Sequence, residues 1–209
     1  MTFRLPRLYA ILDTSFFPRA PAQSAAMIDF AQELERAGVS LLQYRNKTGS
    51  APEVLSQARA LRSELGASVS FFLNDRADLA VAAGCDGVHL GQDDLSLKGS
   101  RRIVGNRLWV GFSTHNPQQV RRAVEAGADY IAIGPVFQTA TKVNPDPVIG
   151  LDGVRAARAL TPSPLVAIGG ITLDNCRAVI QAGADSVAVI SSLTPEPYKS
   201  AEQFLRILM

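Results

Sequence analysis

The chain has 209 residues, of which 47% are hydrophobic and 19% charged, and 21 Lys+Arg against 19 Asp+Glu leave a formal net charge of +2. A chain of this size can bury a sizeable core, and its composition excludes disordered, collagenous and coiled-coil proteins. The near-neutral balance argues against a nucleic-acid binder, which concentrates basic charge. Only two cysteines are present, Cys85 and Cys176, both in apolar contexts. They are too few for a disulfide scaffold and read as buried thiols of a cytoplasmic protein. No apolar run nears the roughly 18 residues of a membrane span. The stretch Leu8 to Leu12 ends at Asp13, short of a signal-peptide core of about 7–15 residues.

In chain order, strands are expected at 8–12, 39–44, 70–74, 87–90, 109–113, 130–133, 165–168 and 186–190. Each is short and apolar throughout, as in a parallel sheet covered on both faces. Helical patterns lie between and after them, at 24–37, 51–65, 77–83, 97–104, 117–126, 151–160, 173–182 and 201–208. Asn116 before Pro117 reads as a helix N-cap with Pro at the first helical position.

A short motif recurs at Ala37-Gly38-Val39-Ser40, Ala83-Gly84-Cys85-Asp86, Ala126-Gly127-Ala128-Asp129 and Ala182-Gly183-Ala184-Asp185. Each copy closes a helix with a glycine suited to the left-handed C′ position and leads into a strand. The glycines are 46, 43 and 56 residues apart, room for two βα units of about 25 residues each. Eight strands alternating with eight helices imply an α/β protein, a single closed (β/α)8 TIM barrel filling residues 1–209 as one domain. A doubly wound open sheet is the competing fold.

Active sites of such barrels collect at the C-terminal ends of the strands, and polar residues crowd those positions here. Gln43, Arg45 and Lys47 follow the second strand, Asn74, Asp75 and Arg76 the third, and Gln92, Asp93 and Asp94 the fourth. Ser113 and His115 follow the fifth, Thr139, Thr141 and Lys142 the sixth, Gly169-Gly170 the seventh and Ser191-Ser192 the eighth. Arg45, Lys47 and Lys142 form a cation set suited to a polyanion such as pyrophosphate. Asp75 and Asp94 come from neighbouring strand ends and could share Mg²⁺, which takes one or two carboxylates plus water and phosphate oxygens. The loops after the seventh and eighth strands are the usual place for a phosphate monoester. Taken singly, each feature also fits a surface ion pair, an acidic first turn or a tight βα turn. Their shared position at successive strand ends favours a site. His89, inside a strand, and His115 are left outside it.

The stretches Gln43-Tyr44-Arg45-Asn46-Lys47, Asn74-Asp75-Arg76, Gly91-Gln92-Asp93-Asp94, 111–115, 134–142 and 168–171 resemble the thiamine-phosphate synthase family, whose fold is the same barrel. The resemblance runs from about residue 8 to the C-terminus. It implies a transferase of thiamine biosynthesis. Such an enzyme condenses an aminopyrimidine methyl diphosphate with a thiazole phosphate and releases pyrophosphate. It also implies roles by position. Gln43, Tyr44, Arg45, Asn46, Lys47, Asn74, Ser113 and Lys142 would hold the pyrimidine diphosphate, with Arg45, Lys47 and Lys142 as the catalytic cations. Asp75 and Asp94 would hold Mg²⁺. Thr139, Ala140, Thr141, Gly170, Ile190 and Ser191 would hold the thiazole phosphate. Ile149 departs from the pattern, since family members often carry Gln before Gly150. Partners would be these small molecules, with no nucleic acid or membrane, and a homo-oligomer is allowed. The competing readings are a thiazole tautomerase of the same superfamily, in which His115 would matter, and a non-catalytic phosphate-ligand sensor. Retention of Asp75, Asp94 and the cations argues against both.

Overall fold

The computed structural model of the chain describes residues 5–18, 22–139 and 146–209. Eight parallel strands pair in chain order: β1 (Leu8–Asp13), β2 (Leu41–Arg45), β3 (Ser70–Asn74), β4 (Gly87–Leu90), β5 (Trp109–Thr114), β6 (Tyr130–Ile133), β7 (Leu165–Ile168) and β8 (Ser186–Val189). β8 pairs back onto β1 and closes the barrel, the fold expected from the repeat. Outside it lie α1 (Gln23–Arg36), α2 (Ala51–Glu64), α3 (Ala77–Ala82), α4 (Leu97–Val104), α5 (Pro117–Glu125), α6 (Gly150–Leu160), α7 (Cys176–Gln181) and α8 (Pro197–Leu208). Short 3₁₀ turns follow β1 and β8.

Local chemistry explains most boundaries. Ser50, Ser96 and Asn116 each accept a hydrogen bond from a backbone N–H of the first helical turn. Two helix starts differ from expectation. α7 begins at Cys176, because Asn175 Oδ1 accepts from Thr172 N and its own N–H bonds Thr172 O, making 172–175 a turn. α8 begins earlier, at Pro197, a residue whose missing N–H does no harm in a first turn.

Side chains alternate across each strand and divide the interior in two. Leu42, Tyr44, Phe71, Leu73, Val88 and Val110 point outward into the main core beneath the helices. Tyr9, Ile11, Leu41, Phe72, Tyr130, Ala132, Val166 and Ala188 fill the barrel itself. Gly111 is required here: a Cβ at that position would lie within the Tyr130 ring.

The Ala-Gly repeat organises the opposite end of the barrel from the site. Gly38, Gly84, Gly127 and Gly183 all have positive φ, between 69° and 114°, as the helix-closing reading requires. The aspartates that follow three of them form a clamp. Asp86, Asp129 and Asp185 accept backbone N–H groups at the starts of the neighbouring strands, from Phe71, Val110 and Leu165 at 2.8, 2.6 and 2.8 Å. Each also accepts from an arginine in the last turn of the helix before that strand: Arg62, Arg101 and Arg158, at 3.2, 2.7 and 2.8 Å. The arginines in turn bond carbonyls of the intervening loops, at Leu65, Leu108 and Ser163. One clamp therefore ties two βα units, which is why the motif recurs every second unit.

Candidate active site

At the C-terminal ends of the strands the barrel opens into a cavity of about 440 Å³. Gln43, Arg45, Lys47, Asn74, Asp75, Asp94, Ser113, Thr139, Gly170, Ile190 and Ser191 all line it. The strand register makes this possible. Gln43 and Arg45 share the inward face of β2, and Asn74, His89, Gly111 and Ser113 fall on inward positions of β3 to β5, paired laterally as Asn74 with His89 and His89 with Gly111.

Two expected ligand residues do not line the cavity, and strand alternation is the reason. Tyr44 sits between Gln43 and Arg45 and so points outward, fully buried in the helix-facing core. Its hydroxyl donates to Gln57 Oε1 in a short bond, and burial pushes its pKa up to about 12. Asn46 serves the same outer layer and the loop: its Nδ2 donates to the Tyr44 hydroxyl and to Gln57, both at 3.1 Å. Its Oδ1 accepts from the N–H groups of Thr48 and Gly49 at 3.1 and 2.8 Å. Both support the loop that carries Lys47 and lie outside the cavity lining. Ala140, Thr141 and Lys142 fall outside the described residues.

Charge is concentrated at the ends of β1 to β4. Arg45 forms an ion pair with Asp13, a carboxylate almost wholly buried at the end of β1. Lys47 Nζ lies 2.7 Å from Asp75 Oδ2. Asp75 is the one non-glycine residue with positive φ, 65°, among the described residues. It occupies a tight turn in which Arg76 N–H reaches Asn74 O at 2.8 Å while its own N–H reaches His89 O at 2.7 Å. A strained residue of this kind needs a surrounding structure that holds it. Burial foremost, and then the facing Asp94 carboxylate, hold the Asp75 carboxyl above the usual range, against the pull of Lys47. Asp94 Oδ2 also accepts from Gly91 N at 2.7 Å. Asn74 adds an unmet demand: its Nδ2 is the buried side-chain atom without a partner among the described residues. Such a donor destabilises the free protein unless a ligand supplies an acceptor.

Two oxygen donors crowded together, one of them resisting ionisation, are what a small hard cation would relieve. The described residues contain no cluster of three or more metal-ligating side chains. A pair of carboxylates suits Mg²⁺, which keeps waters and takes substrate phosphate oxygens for the rest of its shell.

On the other side of the mouth, Gly169 and Gly170 have φ of 104° and 64°, and a Cβ on either would strike the Pro135 to Gln138 segment. These are positions only glycine fills without strain. That segment is stitched to β7 and the glycine turn by Val136 N to Ile168 O and Phe137 N to Gly169 O, at 2.9 and 3.0 Å. The cavity wall there is stiff backbone.

Residue patterns alone left several lining groups unassigned, chiefly Tyr9, His89, Gln92 and His115. Alternation could have found the first two, since Tyr9 and Ile11, and likewise Gly87 and His89, share a strand face. His89 is partly buried, and the loss of solvent around its ring pushes its pKa down to about 4 and keeps the ring neutral. His115 Nδ1 contacts Gly134 O at 2.6 Å and its Nε2 lies 3.3 Å from Asp146.

Cations, crowded carboxylates and a glycine-built wall around one small cavity define the class: a phosphate-handling (β/α)8-barrel enzyme. The narrower assignment comes from likeness to known proteins. The thiamine monophosphate synthase family matches residues 8–193, and the chain belongs to it. It is 59% identical over 205 residues to thiamine-phosphate synthase of Koribacter versatilis, covering 98% of this chain and 97% of that one. It is 45% identical to thiamine-phosphate synthase of Agrobacterium fabrum, over 90% and 86% of the two chains. Among solved structures, thiamine phosphate pyrophosphorylase from Pyrococcus furiosus superposes with a TM-score of 0.84 at 31% identity, covering 97% of this chain and 95% of that one. Among the described residues no helix is long and apolar enough to cross a membrane.

Proposed function

We propose that the chain joins 4-amino-2-methyl-5-(diphosphooxymethyl)pyrimidine to a thiazole phosphate, giving thiamine phosphate and pyrophosphate. The observation that carries the reading is the meeting of Arg45, Lys47, Asp75, Asp94 and the unpartnered Asn74 amide on one side of a single cavity. A diphosphate would give Asn74 Nδ2 its missing acceptor and give both cations a counter-charge. Asp75 and Asp94 would hold Mg²⁺, which when bound supplies positive charge beside the departing pyrophosphate.

Breaking the C–O bond to pyrophosphate leaves positive charge on the electron-rich pyrimidine methylene and adds negative charge to the leaving group. Arg45, held by Asp13, stands where that negative charge grows, so its attraction strengthens toward the transition state. Lys47, freed from Asp75 once a cation takes the carboxylate, would do the same. The thiazole nitrogen then captures the methylene carbon, forming the new C–N bond. No step requires a protein nucleophile. The thiazole phosphate would sit against Thr139, Gly170, Ile190 and Ser191, where bare glycine backbone lets N–H groups approach its oxygens. We place the reaction in the cytoplasm, a reading supported by the two buried, unpaired thiols Cys85 and Cys176.

The test is a pyrophosphate-release assay with both substrates, with and without Mg²⁺. Release is expected only with both substrates and the metal; release with the thiazole phosphate omitted would mark a hydrolase instead. Asp75→Asn keeps a residue that tolerates positive φ, so the fold should survive while Mg²⁺-dependent turnover falls by about 100-fold or more. Wild-type turnover by that variant would remove Asp75 from the metal site.

A further inference from the structure

Beneath the cavity, five polar side chains form a continuous chain across the barrel. Gln43 Nε2 donates to the Tyr9 hydroxyl at 2.6 Å, and the Tyr9 and Tyr130 hydroxyls are 3.0 Å apart. The Tyr130 hydroxyl is 2.8 Å from His89 Nδ1, and His89 Nε2 is 2.8 Å from Ser113 Oγ. The members come from β2, β1, β6, β4 and β5 in that order. The aromatic members are locked by packing: Tyr9 meets Tyr130 edge-on at 6.0 Å, and the His89 ring stacks on Tyr130 at 5.5 Å. Only the two ends, Gln43 and Ser113, carry polar atoms that a pyrimidine substrate is proposed to meet.

Proton counting gives this chain one direction. An amide nitrogen can only donate, so the Tyr9 oxygen accepts from Gln43. Among the described residues the Tyr9 hydroxyl meets only Gln43 and Tyr130, so its single proton goes to Tyr130. The Tyr130 hydroxyl meets only Tyr9 and His89, so its proton goes to His89 Nδ1. Nδ1 is thereby an acceptor, and a neutral imidazole carries its one proton on Nε2. That proton goes to Ser113 Oγ, leaving the Ser113 hydroxyl hydrogen free for the cavity. At the far end, no described residue donates to Gln43 Oε1, which is left as an acceptor.

We propose that Tyr9, Tyr130 and His89 act as a one-way hydrogen-bond relay that sets Gln43 as acceptor and Ser113 as donor, and so makes the cavity select a 4-aminopyrimidine over its 4-oxo counterpart. The proposal rests on the reading that Gln43 and Ser113 meet the pyrimidine. An exocyclic amine donates to the Gln43 end, and a ring nitrogen accepts from the Ser113 end. In the 4-oxo ring an acceptor oxygen replaces the amine and faces another acceptor. Neither end can turn round alone, because reversing Gln43 requires reversing every proton through His89. The three relay members are positioning residues. Tyr9 and His89 form part of the cavity wall, but their polar atoms are engaged with one another, with Tyr130 and with the two ends, so the hydrogen bonds offered to the substrate come from Gln43 and Ser113.

Two measurements test this. The first is calorimetric binding of the 4-amino and 4-oxo pyrimidine methyl diphosphates to the wild-type chain, Tyr130→Phe and Tyr9→Phe. Tyr130→Phe removes the central hydroxyl and lets both ends reverse, so the preference for the amino form should fall about ten-fold. Affinity for the thiazole phosphate should stay unchanged. Tyr9→Phe releases only the Gln43 end and should give a smaller fall. An unchanged amino-to-oxo ratio in a Tyr130→Phe protein with a native melting transition overturns the relay. So does a uniform loss of affinity for all three ligands. The second measurement needs no substrate and no variant. With only two histidines in the chain, ¹⁵N spectra can assign the His89 tautomer, and a proton on Nε2 is expected. A proton on Nδ1 overturns the proposal. If the wild-type chain binds neither diphosphate, the proposed activity fails instead, while the tautomer still reports on the relay.

Discussion

Asp13 and Arg45 are a charge pair in which one partner is almost wholly buried. Asp13 is 3% exposed, with Oδ1 accepting from Ser15 N at 2.9 Å and Oδ2 bound to Arg45. Its role is to aim a cation that has to face the cavity. Asp13→Asn should therefore weaken diphosphate binding about ten-fold and lower stability by about 1–3 kcal/mol, since the guanidinium loses its charged acceptor. Titration calorimetry and urea unfolding would read the two effects separately. Asn74 should behave oppositely. Its Nδ2 has no partner to lose, so Asn74→Ala should leave stability within about 0.5 kcal/mol. Diphosphate affinity should still drop about ten-fold, because the ligand loses the donor it completes. A large loss of stability in that variant would show that Asn74 holds the barrel rather than the ligand.

At the level of elements, strands and helices are tied by two different uses of glycine and by the aspartate clamps. Gly84 and Gly127 have φ of 69° and 77° with open space where a Cβ would stand. Gly84→Ala should thus cost about 1–2 kcal/mol of backbone strain alone. Gly111 has ordinary backbone, but its missing side chain is the room that Tyr130 occupies. Gly111→Ala should displace Tyr130, costing about 1–3 kcal/mol through overpacking and breaking the relay beneath the cavity. Thermal denaturation of the two variants, with ligand binding alongside, separates them: only Gly111→Ala should lose binding. The clamps act between elements. Asp129 Oδ2 holds both Val110 N and Arg101, so Asp129→Ala should cost about 1–3 kcal/mol, leaving the Val110 N–H without its acceptor and Arg101 without its counter-charge. Because the clamp lies at the end of the barrel remote from the cavity, turnover of the folded variant at low temperature should match wild type.

Across the whole molecule, burial sets the response to pH. The folded-state pKa values of Cys85 and Tyr44 are both raised to about 12, chiefly by burial, from ordinary values of 9.0 and 10.0. A raised folded pKa contributes stability that is present below the unfolded value and lost as pH climbs toward the folded one. The urea midpoint should hold between about pH 7 and pH 9 and fall steadily from there toward pH 12, with Cys85→Ala flattening the early part of that fall. Below about pH 6.5 it should fall again, because unfolding lets His89 take up a proton that its folded site refuses. Much of this architecture was legible beforehand, because its causes are local. Apolar runs bounded by Ala-Gly turns mark buried parallel strands, and four such turns mark the pairing of βα units. Likewise Asn116-Pro117 marks a helix start by its own hydrogen bonding. Arg45, Lys47, Asp75 and Asp94 could be placed at the mouth since strand ends follow from strand positions. The run from Gln43 to Lys47 does not present one common face: alternation sends the Tyr44 side chain to the other side of the sheet and draws that of Asn46 after it. The relay of Tyr9, Tyr130, His89, Gln43 and Ser113 joins residues as far as 121 positions apart, and no spacing in the chain announces it. The sequence by itself determined the barrel, its repeat and the charged residues at its mouth, since these follow from local periodicity and turn chemistry. Tertiary structure alone decided which neighbours face inward together and which way their protons point. Only closing the sheet brings β1, β4 and β6 within hydrogen-bond reach.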